Sequence, residues 1–295
     1  MKRKVIQLAG KTLVISLPVK WARMHNILKG DELELTLGNN QLSISTQNKK
    51  VESKISLFLD CTSEFAKRRI NTLYKRGIDE INLSVKKPAL LCEIQKSLNS
   101  LMGFEIIDRF ERSCIIKNIA QPIDENLNIL VKRVFLINLE MTKLIEQLLQ
   151  KKEKEVLDEL KTLEELNDKL TNTCKRVLNK QVNQEMDKVN LTYCLLWGLE
   201  KVGDEYEQLG VQIYNSKITS NVLKIIAKIN EFHRSFYDLY CKFDEQKASN
   251  FSLEYKQLKL ETTNLLLKNH LLGHHAFNIV QSVYDLAGPY YAMIL

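Results

Sequence analysis

Glycine and proline are scarce in this chain, 10 and 4 among 295 residues, and from Pro122 onward apolar side chains return in steps of three and four. This pairing constrains the fold more than any motif does. A chain so poor in turn formers is not an all-β protein of many tight turns, and its second half is predicted to be long helices. Leu130, Val134, Ile137, Met141, Leu144 and Leu148 form the seam of a first helix. Leu160, Leu163, Leu170, Cys174 and Val177 form that of a second, highly charged one, and Leu195, Leu199, Val202, Tyr206, Leu209 and Ile213 that of a third. Three more helices are predicted at about 219–244, 250–270 and 272–288, the last stopped by Gly288-Pro289. Two successive sets of three suggest an internal duplication within a helical bundle.

The first 120 residues read differently. Lys4 to Leu8 and Leu13 to Leu17 are predicted strands around the turn tetrad Ala9-Gly10-Lys11-Thr12, and Pro18 opens a short helix to His25. Glu32 to Leu37 and Gln41 to Ser45 alternate about a hairpin turn at Gly38-Asn39-Asn40. So short a set of strands lacks the material for its own core, so this head is expected to be an obligate dimer or to lean on something larger. A second unit follows in the order β-α-β-α-β-β: a strand at Lys54–Asp60, a helix capped by Thr62 and stopped by Gly77, a strand at Ile78–Val85, a helix opened by Pro88 and running to about Met102, and a hairpin of Phe104–Glu111 with Cys114–Ile119. A small α+β sheet with its helices on one face is the expected result. The domain division is 1–47, 48–120 and 121–295.

Charge separates these parts. Residues 1–50 hold nine Lys/Arg against three Asp/Glu, a net +6; residues 51–120 hold twelve against nine, or +3; residues 121–295 hold twenty-two against twenty-four, or −2. A basic head on a near-neutral body suggests a head that meets a polyanion. Lys2, Arg3, Lys4, Lys11, Lys20 and Arg23 are the candidate DNA-binding residues, because Lys/Arg on strands and loops can track duplex phosphates. Trp21 is the only aromatic of the head and reads as core, so single-strand stacking is not expected. The six cysteines are widely spaced and no apolar run is long enough to span a bilayer, so reduced core thiols, a cytoplasmic location and no direct membrane insertion are expected.

No enzyme motif is present. Gly10-Lys11-Thr12 resembles the end of a phosphate-binding loop, but Val5 stands where that loop needs glycine, and the dinucleotide, zinc-protease and nucleophile-elbow patterns are all missing. Two polar pairs remain. Glu200 and Asp204 share one side of the third body helix at i, i+4, either as a solvated acidic edge or as metal ligands. His274, Asn278, Gln281 and Asp285 form a polar stripe on an otherwise apolar sixth helix, and Gln281 and Asp285 repeat the i, i+4 spacing. His270 and His274 are also i, i+4, and with His275 beside them at a helix end they read as solvated or capping sooner than as metal ligands, the weaker alternative.

Two resemblances follow from these residues. Leu8-Ala9-Gly10-Lys11-Thr12-Leu13-Val14-Ile15-Ser16-Leu17-Pro18, the short helix and Leu28-Lys29-Gly30-Asp31-Glu32-Leu33 resemble the SpoVT/AbrB superfamily, nearest its MazE branch. The resemblance implies a swapped-hairpin β-barrel homodimer that binds duplex DNA. Ser16 stands where that branch often carries a basic residue, which leaves Arg3, Lys11 and Arg23 more of the load. An antitoxin role fits less well, because a large bundle follows where a short toxin-binding tail is expected. Glu200-Lys201-Val202-Gly203-Asp204 resembles the E-R-I-G-D motif of the PhoU family, two repeats of three helices, and Gln281-Ser282-Val283-Tyr284-Asp285 resembles a degraded second copy. This implies a metal ion, divalent or ferric (Fe, Zn, Mg or Ni), at Glu200, Asp204, Gln281 and Asp285, with the second cluster weakened by Gln281. The whole order resembles the archaeal phosphate-uptake regulators, which implies a non-enzymatic regulator of phosphate homeostasis. A phosphate transporter ATPase is an implied partner, and the alternative is an adaptor on that transporter whose head only dimerises.

Overall fold

The computed structural model describes residues 2–8, 10–37, 42–46, 53–120, 127–180 and 186–294. The chain divides into two units, Met1–Val51 and Glu52–Leu295. The turn expected at Gly38-Asn39-Asn40 and the expected entry to the body at Pro122 lie outside the described residues.

In the first unit β1 (Ile6–Leu8) pairs antiparallel with β2 (Thr12–Val14), and Gly10, at φ +79°, supplies the left-handed residue of the turn between them. Pro18 precedes α1 (Val19–Met24), and β3 (Leu33–Leu37) pairs antiparallel with β4 (Leu42–Thr46). The register sets Leu35 opposite Ile44 and Leu37 opposite Leu42, so one face of this hairpin is apolar. None of the described residues of this unit is buried, and Ile6, Leu8, Leu13, Leu35, Leu37 and Leu42 are exposed. Trp21, expected in a core, is only half-buried and lies against His25 with ring centroids 5.1 Å apart. A six-residue helix and two separate two-stranded ladders offer it no deeper shelter within the unit.

The second unit opens with a four-stranded sheet of order β5-β6-β8-β7, from β5 (Lys54–Leu59), β6 (Glu80–Val85), β7 (Phe104–Arg109) and β8 (Ser113–Asn118). Strands β5 and β6 are parallel and joined through α2 (Ser63–Lys75); α3 (Ala89–Ser97) and a single 3-10 turn (Leu98–Ser100) lead to the β7–β8 hairpin. Thr62 caps α2 through the Phe65 N–H, and Gly77 ends it at φ +88°. One face of the sheet, with Leu57, Leu59, Ile81, Leu83, Val85, Cys114 and Ile116, buries against Ala66, Ile70, Leu73 and Tyr74 of α2 and Leu90, Leu91 and Ile94 of α3.

The body is built from α4 (Leu127–Gln150), α5 (Lys154–Lys180), α6 (Met186–Asn215), α7 (Ser220–Cys241), α8 (Glu245–Lys268), α9 (His270–Asp285) and α10 (Ala287–Ile294). Helices α4, α5 and α6 pack on one another, as do α7, α8 and α9; the two sets meet through α6 against α9 and α4 against α7. The α4 and α6 seams read from the sequence are buried throughout. Along α5, Leu163 and Val177 are only partly buried, while Asn167, Thr171 and Leu178 are buried. Gly288-Pro289 does not stop the sixth helix. The helix ends three residues earlier, at Asp285, and Pro289 lies in the first turn of α10, where its missing N–H has no helical partner to lose.

Layer and body have separate apolar cores yet pack as one unit. The junction is α5 against α2. The Arg176 guanidinium donates to the carbonyls of Tyr74 (2.9 Å) and Ile78 (2.6 Å) and to Asp79 Oδ1 (2.5 Å), and it lies over the rings of Tyr74 and Phe104. Lys180 also pairs with Asp79, and Tyr74 Oη lies 3.2 Å from Thr173 Oγ1. Burial pushes the Asp79 carboxyl up, but Lys180, the Ser53 N–H and Arg176 together hold it below its ordinary value.

Candidate functional site

Three acidic side chains meet on the body: Glu164 and Asp168 of α5 and Asp204 of α6 each offer an oxygen, and all three oxygens lie within 4.8 Å of one another. It is the one such cluster among the described residues. Helix geometry brings them together. Residues 164 and 168 are one turn apart on α5, residues 200 and 204 one turn apart on α6, and the two helices pack side by side. Burial first, then the charges of Asp168, Glu207 and Asp204, pushes the Glu164 carboxyl up to about 8. Burial, then Glu200 and Asp204, raises Asp168 to about 6 against the opposing pull of Lys175 and Lys201. Asp204 is raised by burial, though Lys201 pairs with it and works the other way.

Glu200 is turned to a different partner. It pairs with Lys175, whose side chain is only 2% exposed. Lys75, on α2 of the α+β layer, feels the charges of Glu200 and Asp168 but has its pKa lowered by burial. The predicted pair Glu200 and Asp204 is thus divided between an ion pair with Lys175 and a carboxylate cluster with α5.

The motif's glycine has a packing role. A Cβ at Gly203 would run into the Asn167 side-chain amide and come within 3.2 Å of Asn138 Oδ1. Both asparagines are fully buried, and both donate to the Leu199 carbonyl, Asn138 at 3.2 Å and Asn167 at 3.4 Å. Side-chain amides of α4 and α5 therefore clamp α6 one residue before Glu200, and the absent Cβ makes room for them.

Gln281 and Asp285 stand elsewhere, on α9 against α8. Gln281 Oε1 accepts from the Tyr255 hydroxyl at 2.7 Å, and its Nε2 donates to Asp285 at 2.9 Å. Lys259 donates to the same hydroxyl at 3.1 Å. Positions 255 and 259 of α8 have the spacing that 164 and 168 have on α5, but with a tyrosine and a lysine in place of two acids. The structure does not join this pair to the carboxylate cluster: the amide is satisfied, and the neighbouring charge is a lysine. Of the helix-end histidines, His275 Nδ1 lies 2.7 Å from Glu205 and His274 lies 3.1 Å from Asn278.

Glu164 and Asp168 were not singled out from the sequence. Glu164-Glu165-Leu166-Asn167-Asp168 has the same E-x-x-x-D spacing as the α6 motif, but it is embedded in a helix charged along its length. The donor set fits a metal ion. It is all oxygen, it gathers like charges in a half-buried place, and Asp168 Oδ1 is buried with no hydrogen-bond partner among the described residues. Such a set suits Mg or ferric iron better than Zn or Ni, which favour nitrogen and sulfur donors.

In the head, Lys2, Arg3, Lys4, Lys11, Lys20 and Arg23 are all exposed. Lys11 sits in the β1–β2 turn, and Lys20 and Arg23 on α1. Residues 6–52 match the family described as antidote-toxin recognition MazE, bacterial antitoxin, so the likeness to the MazE branch falls on the head. No curated protein and no solved structure matches the chain. No helix among the described residues is long and apolar enough to cross a membrane.

Proposed function

We propose that this protein is a cytoplasmic, homodimeric, DNA-binding regulator of phosphate homeostasis, with a PhoU-like helical body that binds metal and senses or docks. The observation that carries the DNA part is the head, which shows six exposed basic side chains, no buried described residue, and a likeness to MazE. Its apolar β3–β4 face is covered when two copies close into a swapped-hairpin barrel. Two basic sets then lie on one dimer, suited to the two strands of a duplex.

The body contributes a regulatory input. Glu164, Asp168 and Asp204 would hold the ion, with Glu200 beside them once released by Lys175. The bound ion would supply positive charge that lets all these carboxylates ionise together. Two three-helix sets, one with a full acidic cluster and one with Tyr255, Lys259, Gln281 and Asp285, support a duplicated bundle with one working metal centre. Ser16, exposed where a basic residue is common in the MazE branch, supports the second reading: an adaptor on a phosphate transporter ATPase whose head only dimerises.

Fluorescence anisotropy of the full-length protein on its own upstream duplex and on a scrambled one, across a salt series, separates these readings. The regulator binds the upstream duplex more tightly, with a negative slope of log K against log salt, and weakens with Lys11→Gln/Arg23→Gln. Equal weak binding to both duplexes, unmoved by that variant, favours the adaptor. Metal analysis of the purified protein tests the body: Glu164→Gln/Asp168→Asn should lose the metal, and equal content in both proteins overturns the site.

A further inference from the structure

The α+β layer carries a charged surface that neither the head nor the carboxylate cluster uses. Helix α2 turns Ala66, Ile70, Leu73 and Tyr74 into the core, which leaves positions 65, 68, 69, 72 and 76 on its outer side. They are Phe65, Arg68, Arg69, Thr72 and, at the C-cap, Arg76, and Phe65, Arg68 and Arg69 are exposed. Other cations of this helix are engaged: Lys67 pairs with Glu93 at 3.1 Å, and Lys75 is half-buried toward Glu200. No carboxylate among the described residues pairs with Arg68, Arg69 or Arg76. Glu64 is the one acid on α2, and it accepts a hydrogen bond from Ser63 Oγ at 2.9 Å. Arg69 lies over the exposed Phe65 ring, its guanidinium carbon 6.0 Å from the centroid.

We infer that this face of α2 is a second polyanion-binding surface, which adds duplex phosphate contacts to those of the head; the inference rests on the DNA-binding reading above. Three guanidiniums without counter-charges among the described residues, on one face of a rigid helix, suit phosphate oxygens, to which arginine donates in bidentate fashion. Arg69 and Arg76 are seven residues apart, roughly 11 Å along the helix at ~1.5 Å per residue, far enough to reach more than one phosphate. A membrane surface is the poorer fit. A helix lying in lipid presents a continuous apolar face outward, whereas the apolar face of α2 is spent on the core and only Phe65 remains outside.

The test is the full-length triple variant Arg68→Gln/Arg69→Gln/Arg76→Gln in the same anisotropy salt series. Because the three guanidiniums are not tied to a carboxylate, its thermal midpoint should stay at the wild-type value. The slope of log K against log salt should become shallower by roughly 2–3 for each copy of α2 that touches the duplex, at about 0.9 for each phosphate that is no longer neutralised, with at least a tenfold loss of affinity at low salt. Salt-dependent binding with an unchanged slope in the triple variant overturns the inference and leaves the head as the DNA-binding element. A wild-type protein with no salt-dependent duplex binding overturns the DNA reading and this inference together. Vesicles of anionic phospholipid form the last arm. Binding to them that the triple variant loses, while its duplex slope stays unchanged, overturns the inference in favour of a membrane surface.

Discussion

His233 sits at the centre of the body with neither ring nitrogen hydrogen-bonded among the described residues, stacked on Tyr206 with centroids 5.6 Å apart. Burial, then the charge of Arg234, drives its pKa down to about 3. The unfolded chain takes up a proton near the ordinary value of 6.5 and the folded one does not, so stability is lost as pH falls below about 6.5. His233→Phe keeps the ring and removes the titration. Between pH 6 and 4 the wild type should lose roughly 1.4 kcal/mol per pH unit more than the variant, read by urea unfolding. A pH-independent difference between the two proteins would show that His233 takes up its proton as readily in the fold as in the unfolded chain. Gly203 makes a second residue-scale case. Alanine in place of a mid-helix glycine ordinarily gains ~1 kcal/mol, but here the new methyl collides with Asn167. Gly203→Ala should instead lose about 1–3 kcal/mol by displacing the amides that clamp α6. A stabilised variant would mean the clamp is slack.

At the scale of elements, α5 links the two parts of the second unit. Its middle turns supply Glu164 and Asp168 to the cluster, Lys175 pairs with Glu200, and the next residue, Arg176, is bound to the α+β layer. Arg176→Ala leaves Asp79 in a largely buried place with Lys180 alone for a counter-charge, and should cost about 3–5 kcal/mol in urea unfolding. Arg176→Ala/Asp79→Asn should cost less than the two single variants summed, because the removed groups share one network. Strict additivity would refute the coupling. The α4 and α6 seams were legible in the sequence, since a 3.6-residue period shows which face is buried. The end of α9 was not, because a proline is as acceptable in a first turn as it is after a last one.

For the whole molecule, the head has a sequence suited to strands and a hairpin face that no described residue of the unit buries. Leu35 and Leu37 lie on that face, exposed in the single chain. Leu35→Asp/Leu37→Asp should convert a dimer to a monomer in sedimentation equilibrium and lower duplex affinity at least tenfold, since one copy brings half the basic set. A dimer that survives these changes would place the interface elsewhere.

The amino-acid order alone determined the helical body, the order of strands and helices in the α+β layer, the basic head and its likeness to MazE. These are local properties: periodicity, turn chemistry and the count of charges along a segment. Only the tertiary structure decided which acids meet. Glu200 and Asp204 are equivalent by spacing, yet packing of α5 on α6 gives one a buried lysine and the other two carboxylates. Glu164 and Asp168 are two acids among many on a charged helix until that packing brings them against Asp204. Proximity between helices depends on how their seams interlock, and no spacing within one helix records it.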